Sequence, residues 1–130
     1  VKLNGEQMVG GSGVVYGGST ETYYAISPDN AYVVYVATQD TKDVYELYST
    51  PLGGGESVKL NGELVPNGDV VFGSMINVAI GAASSRVVYV ADQDKNNQDE
   101  LYSVPIAGGT VTKLNGPIRS SSPQLLQCLL

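Results

Sequence analysis

The sequence contains no histidine and no tryptophan, a single cysteine, and only 15% charged residues. Each shortage removes a class of function. Without histidine the commonest general base and transition-metal ligand are missing. Neither a Ser-His-Asp triad nor a Cys-His pair can be assembled from this chain. The lone Cys128 stands two residues from the end in an apolar tail. No intrachain disulfide can form, and cysteine usage does not decide the redox compartment. Basic charge is also scarce. Seven Lys and Arg against thirteen Asp and Glu leave a net charge of −6. The cations are scattered: Lys2, Lys42, Lys59, Arg86, Lys95, Lys113 and Arg119. Nucleic acid needs clustered cations, so neither it nor an anionic membrane surface is an expected partner. No apolar run approaches the ~18 residues of a membrane span, and no membrane insertion is expected. The 42% hydrophobic content over 130 residues suffices for one domain with its own core. The chain begins at Val1, as a processed or excerpted product would.

What the sequence does have is a duplication. Residues 33–62 (VVYVATQDTKDVYELYSTPLGGGESVKLNG) and 87–116 (VVYVADQDKNNQDELYSVPIAGGTVTKLNG) align without a gap at an offset of 54, with 18 of 30 positions identical. The tetrapeptide Lys-Leu-Asn-Gly occurs three times, at Lys2–Gly5, Lys59–Gly62 and Lys113–Gly116. A fixed period of this size denotes a repeat architecture. The pattern within each repeat is all β. Val33–Val36 and Val87–Val90 read as strands buried on both faces. Glu46–Thr50 and Glu100–Val104 alternate polar and apolar, as a half-buried strand does. Each runs into a proline, Pro51 or Pro105, and a glycine turn, Gly53–Gly55 or Gly108–Gly109. A short strand follows, Ser57–Leu60 or Val111–Leu114, and closes on Asn-Gly, a turn signal. A further strand precedes each buried one, at Thr22–Ile26 and, with a break, within Val70–Ile80. No helical period is present before the tail, where Leu125–Leu130 could be a short helix or a docked segment.

Four short antiparallel strands per repeat make the blade of a β-propeller. Ile26–Tyr35 (ISPDNAYVVY), Glu46–Leu52 (ELYSTPL), Gly54–Gly55 and Val58–Asn61 resemble the SPDGK…VAFVS…ELYxxxLxGGxxxxLT pattern. That pattern marks the WD40-like propeller repeats of the TolB C-terminal domain and of many secreted bacterial proteins. The resemblance covers most of residues 13–116. The second repeat departs from it, with Gly81-Ala82-Ala83-Ser84 where the first has Ser27-Pro28-Asp29-Asn30, which leaves the shape of that turn open. The resemblance implies an all-β fold of two four-stranded antiparallel propeller-type blades in a single β-propeller-like domain spanning 1–130. Residues 1–5 form an extra outer strand, 6–62 one blade, 63–116 the other, and 117–130 a non-repeat tail. It also implies a bacterial protein of the periplasm or exterior.

Propellers close with four to eight blades, and two blades with an unmatched first strand pose a counting problem. Three arrangements are open: an excerpt of a longer array, a ring completed by two or three copies, or two sheets packed as a sandwich. The surplus Val1–Leu3 strand favours completion by oligomerisation or by further sequence, because an open strand edge invites aggregation.

Candidate sites are few. Asp92-Gln93-Asp94-Lys95-Asn96-Asn97-Gln98-Asp99-Glu100 alternates oxygen-bearing side chains as calcium loops do. An EF-hand loop starting at Asp92 would want glycine sixth and glutamate twelfth, where Asn97 and Ser103 stand. The first repeat puts Thr38 and Lys42 at ligand positions, and lysine opposes a cation. The expectation is a solvated hairpin, with no metal or cofactor residue assigned. Tyr35/Tyr89 and Tyr48/Tyr102 recur and are expected to pack. Tyr16, Tyr23, Tyr24, Tyr32 and Tyr45 do not recur and could line a sugar or peptide surface, although structural roles are expected. Gly10-Gly11-Ser12-Gly13 comes nearest to a nucleophile elbow, but Val14 stands where the last glycine belongs. No glycine-rich phosphate loop precedes a helix. Paired carboxylates for glycoside hydrolysis stay open, since the fold sets their spacing. No catalytic residue is assigned. The expected role is a non-enzymatic binding or scaffold module that forms homo-oligomers and takes a protein or carbohydrate ligand through its loops or central opening. The alternative is a fragment of a propeller-containing hydrolase, lyase or glycosidase whose catalytic part lies outside this chain. A third possibility is an excerpted gene product with no selected binding role.

Overall fold

The computed structural model describes residues 1–4, 24–71 and 78–117. Among them are eight strands: β1 (Tyr24–Ile26), β2 (Tyr32–Ala37), β3 (Glu46–Pro51), β4 (Val58–Lys59), β5 (Val78–Ile80), β6 (Arg86–Ala91), β7 (Glu100–Pro105) and β8 (Thr112–Lys113). They form two four-stranded antiparallel sheets with the simple meander orders β1-β2-β3-β4 and β5-β6-β7-β8, the layout of a propeller blade. Each strand of the second sheet lies 54 residues after its counterpart in the first, and the register is copied as well. Tyr35 pairs with Tyr48 and Val33 with Thr50; Tyr89 pairs with Tyr102 and Val87 with Val104.

Side chains alternate between two faces of each sheet. We call front the face carrying Val34, Val36, Leu47 and Leu60, and back the face carrying Val33, Tyr35, Ala37, Tyr48 and Thr50. The front of the first sheet meets Val87, Tyr89, Ala91, Tyr102, Val104 and Ile106 of the second, with Val70 from the connection, in one core. In repeat numbering those six second-sheet residues correspond to Val33, Tyr35, Ala37, Tyr48, Thr50 and Leu52, which is the back. Like faces would meet in a two-fold sandwich. Here front meets back, a heterologous contact. The back of the first sheet carries a separate buried group, Tyr35, Ala37 and Tyr48.

Several expectations change. Glu46–Thr50 is buried at all five positions rather than half-buried, because its polar side chains have partners inside. Ser49 Oγ donates to the Ile106 carbonyl at 2.6 Å across the sheet contact, and Thr50 Oγ1 donates to the Leu3 carbonyl at 2.9 Å. In β6, Val88 and Val90 are only half-buried, since they lie on the uncovered front of the second sheet. Within the expected strand of Val70–Ile80, Val78–Ile80 is strand and Val70 makes an isolated bridge to Ala91; residues 72–77 lie outside the described ones. The turn that lost its Pro-Asp pair keeps its shape. Asn30 and Ser84 both take φ of 58°. Asn30 N donates to the Ser27 carbonyl and Ser84 N to the Gly81 carbonyl, each at 2.8 Å. The Ser84 hydroxyl then accepts the Asp29 amide at 3.0 Å and ties the two turns together.

Candidate functional site

The polar groups of each sheet gather around the lysine of its Lys-Leu-Asn-Gly element. The outer strand is only two residues long, so the ladder stops early and side chains carry it on. Lys59 Nζ stands 3.0 Å from both Asp40 Oδ2 and Glu46 Oε2. Asn61 Oδ1 accepts the Leu47 amide at 2.8 Å, and its Nδ2 donates to Glu46 at 3.3 Å and to the Gly62 carbonyl at 2.9 Å. A side-chain amide thus takes the place of the next peptide of the ladder. The second sheet repeats the set. Lys113 Nζ is 2.6 Å from Asp94 and 2.9 Å from Glu100, and Asn115 accepts the Leu101 amide at 2.7 Å and donates to Glu100 at 3.2 Å. Beneath each lysine lies a stacked tyrosine pair. The Tyr35–Tyr48 centroids are 5.5 Å apart and the Tyr89–Tyr102 centroids 5.4 Å.

Within these clusters the lysines and several of their partners shift one another's titration. Burial pulls the Lys59 pKa down, but its bonds to Glu46 and Asp40 outweigh that and hold it above the ordinary value. The bonds to Asp94 and Glu100 raise Lys113. Lys113 in turn holds Asp94 low. Burial pushes Glu100 up, yet Lys113, Asn115 and Gln98 bring it below its usual range. Tyr48 is raised by burial and by the Glu46 and Asp40 charges. Tyr89 is pushed up to about 12 by burial, despite the opposing bond from the Gly62 amide. A general acid or base works best with a pKa near the operating pH. These lysines, tyrosines and second-sheet carboxylates are all moved away from neutrality. Tyr48 Oη donates to Asp40 at 3.0 Å. Tyr102 Oη is buried without a hydrogen bond of good geometry; burial, and then the nearby Asp94, raise its pKa, while Asp94 pairs with Lys113.

The seam between the sheets uses the same repeated residues. Gly62 N donates to Gln93 Oε1 at 3.0 Å, and Tyr89 Oη donates to that same oxygen at 2.8 Å. A Cβ on Gly62 would lie 2.7 Å from Gln93 Nε2, so a side chain there would press on the Gln93 amide. An open cavity of about 450 Å³ lies beside this seam, walled by Glu46, Lys59, Asn61 and the connection Glu63–Gly68. Asp69 closes the connection by accepting the Tyr45 amide at 2.7 Å. Burial and the nearby Asp92 and Glu46 raise its pKa.

The calcium-like loop is put to other use. Asp92 Oδ1 accepts the Asp69 amide at 2.6 Å and Oδ2 the Asn97 amide at 2.9 Å, while Asp94 pairs with Lys113. Asn96 is exposed. Asp92 and Gln93 are buried, so the expected solvated hairpin is anchored at its start. Among the described residues no three His, Cys, Asp or Glu side chains converge as metal ligands would. Tyr32 and Tyr45 pack against the core, whereas Tyr24 is 57% exposed. Tyr16, Tyr23, the Gly10–Val14 segment and Cys128 lie outside the described residues. Sequence reasoning overlooked the Asp40–Glu46–Lys59–Asn61 cluster as a unit. The signal was present, since all four residues are identical in both repeats.

No protein-family model matches this chain, and no curated protein matches it. Among solved structures it is similar to a chain assigned as TolB from Agrobacterium tumefaciens, at 14% identity and a TM-score of 0.49. The likeness covers 69% of this chain and 31% of that one.

Proposed function

We propose that this chain is a non-enzymatic scaffold module, two consecutive blades of a propeller-type array that works through its faces rather than through chemistry. One contrast carries the reading. The two lysine-centred clusters come in matched copies, Asp40–Glu46–Lys59–Asn61 and Asp94–Glu100–Lys113–Asn115, each bound to its own sheet's outer strand, while Asp69 and Asp92 are taken up by backbone amides. Among the described residues, exposed large apolar side chains include Tyr24 and Ile26 on the first sheet's edge and Leu101 and Leu114 on the second sheet. Surface of that kind favours a protein partner over a carbohydrate. A catalytic cluster would not be expected twice, in the same geometry, with each carboxylate held by a lysine. The test is turnover of chromogenic esters, glycosides and peptide amides from acid to mildly alkaline pH, with Glu46→Gln beside the wild type. No rate above the blank is expected from either. A rate that Glu46→Gln loses while keeping its fold would overturn the reading.

A further inference from the structure

We infer that Asn115 is a site of spontaneous modification, where the amide nitrogen of the following glycine displaces the side-chain amide with water as the only co-reactant. The inference stands apart from the scaffold reading. Asparagine followed by glycine is the pair in which such a ring closure is least hindered, because glycine has no Cβ to crowd its own nitrogen. The described residues hold three of these pairs: Asn61-Gly62, Asn67-Gly68 and Asn115-Gly116. The first and last both stand in Lys-Leu-Asn-Gly. Their local chemistry is therefore the same, and the fold decides which of them reacts.

Ring closure asks that the glycine nitrogen be free to turn and that the asparagine side chain leave its bonds to meet it. At Gly62 the nitrogen donates to Gln93 Oε1 at 3.0 Å, and Tyr89 pins that oxygen at 2.8 Å. Asn61 is 6% exposed, and its bond to the Leu47 amide is buried. At Gly68 the nitrogen donates to the Val65 carbonyl at 2.8 Å. The backbone there is packed so closely that a Cβ would lie 2.6 Å from the Asp92 carbonyl oxygen. Gly116 differs on both counts. Its nitrogen makes no hydrogen bond to a described residue, and a Cβ there meets nothing within 4 Å. The Asn115 bonds to the Leu101 amide and the Gly116 carbonyl are exposed, so water replaces them when they open. They also lie past the end of a two-residue strand, Thr112–Lys113, where local opening costs least.

The Gly116 nitrogen loses its proton to solvent base and bonds to Asn115 Cγ. The Cγ–Nδ2 bond breaks, and the side-chain nitrogen takes a proton from solvent and leaves as ammonia. The product is a cyclic imide, which water then opens. Cleavage between Cγ and the ring nitrogen gives aspartate. Cleavage at the main-chain carbonyl gives isoaspartate, which adds a methylene to the backbone. No oxidant or reductant is needed. The outcome would differ between the copies. At position 115 a carboxylate replaces the amide that now donates to Glu100 at 3.2 Å, close to the Lys113 cation and to water. At position 61 it would enter the buried seam against Glu46.

The experiment keeps the folded 130-residue chain at mildly alkaline pH, well below its melting temperature, for days to weeks. Samples are digested at mildly acidic pH, and mass spectrometry reads the fraction converted to acid at Asn61, Asn67 and Asn115. Electron-transfer fragmentation separates isoaspartate from aspartate. A second set is held in urea at the same pH. In the folded chain Asn115 should convert at least about tenfold faster than Asn61 or Asn67, because an exposed chain segment opens far more readily than a packed one. In urea Asn61 and Asn115 should convert at similar rates. Gly116→Ala, whose added Cβ has open space, should keep the fold by circular dichroism and slow conversion at Asn115 several-fold. Equal rates at Asn61 and Asn115 in the folded chain would overturn the inference. So would an Asn115 that folding slows as much as it slows Asn61, or conversion that yields aspartate with no isoaspartate, the mark of direct hydrolysis without the imide.

Discussion

Leu60 and Leu114 occupy the same place in two copies of one motif, yet one is 1% exposed and the other 48%. Leu47 and Leu101 differ in the same way, at 0% and 37%. The residues and register are alike, so the difference comes from the neighbour. The first sheet has the second packed on its front, and among the described residues the second sheet's front is the more exposed one, at Leu101 and Leu114. A repeat of this kind writes an apolar surface onto both faces of every unit, and assembly decides which faces become core. The comparison is most directly broken by truncating the two leucines. Leu60→Ala should lower unfolding free energy by about 2–5 kcal/mol, the range for a buried leucine. Leu114→Ala should change it by less than about 0.5 kcal/mol. Urea denaturation of both variants in dilute solution, where the faces stay unpaired, reads the difference. Equal losses would mean that the second front is covered.

The asparagines give the next contrast. The Asn61 bond to the Leu47 amide is buried, and its counterpart from Leu101 to Asn115 is exposed. Asn61→Ala leaves a backbone donor without water or partner, which costs about 1–3 kcal/mol. At Asn115→Ala water replaces the lost acceptor, and less than about 1 kcal/mol should be lost. Hydrogen exchange at the Leu47 and Leu101 amides checks this locally. The Leu47 amide should lose protection in its variant by more than the Leu101 amide loses in the other.

The third contrast changes sign. Alanine at Gly62 would push against the Gln93 amide, which is pinned by Tyr89 and by Gly62 itself. Crowding of that kind costs about 1–3 kcal/mol. At Gly116 a Cβ meets nothing within 4 Å. Gly116→Ala should therefore be neutral or stabilise by up to about 1 kcal/mol, through a less flexible unfolded chain. A thermal melt that finds Gly116→Ala as damaging as Gly62→Ala would mean that the two glycines share a role this geometry does not give them.

These contrasts also mark what was legible in the sequence. The duplication located seven of the eight strands to within a residue or two, because β-branched runs, prolines and Asn-Gly turns are local signals; the strand expected within Val70–Ile80 is described only at Val78–Ile80. The turn at Gly81–Ser84 was not legible, because its shape is held by a positive φ at Ser84 and the Ser84 amide's bond to the Gly81 carbonyl, which the lost Pro-Asp pair no longer signals. Burial of Glu46 and Ser49 was hidden for another reason. Alternation predicts which face a residue takes, but the partners that let a carboxylate or hydroxyl be buried come from Lys59 and Ile106, distant in sequence. The four-residue cluster around each lysine could have been read from its identity in both repeats, once matched polar residues were weighed as a group.

The smallest expected effect contrasts two sets of acids. Asp94 and Glu100, held by Lys113, have folded pKa values below their ordinary ones. Such groups stabilise the fold above their unfolded pKa, about 3.9 and 4.3, and that stability is lost as pH falls through their folded values. Asp69 and Asp99, near Asp92 and partly desolvated, are shifted the other way. Their charged forms oppose folding, so stability rises as pH falls through their folded values and stops rising below their unfolded ones. On acidification from neutrality, Tm should therefore first gain slightly above pH about 4 and then fall below it. Asp94→Asn with Glu100→Gln should flatten the fall and leave the gain. Asp69→Asn with Asp99→Asn should remove the gain and leave the fall, since an amide oxygen at position 69 can still accept the Tyr45 amide. Both shifts should be only a few degrees, because Asp94 is half exposed and solvent screens such pairs. If the two double variants alter the same limb of the curve, the ion pairs of the second sheet and the acids of the seam do not titrate as separate systems.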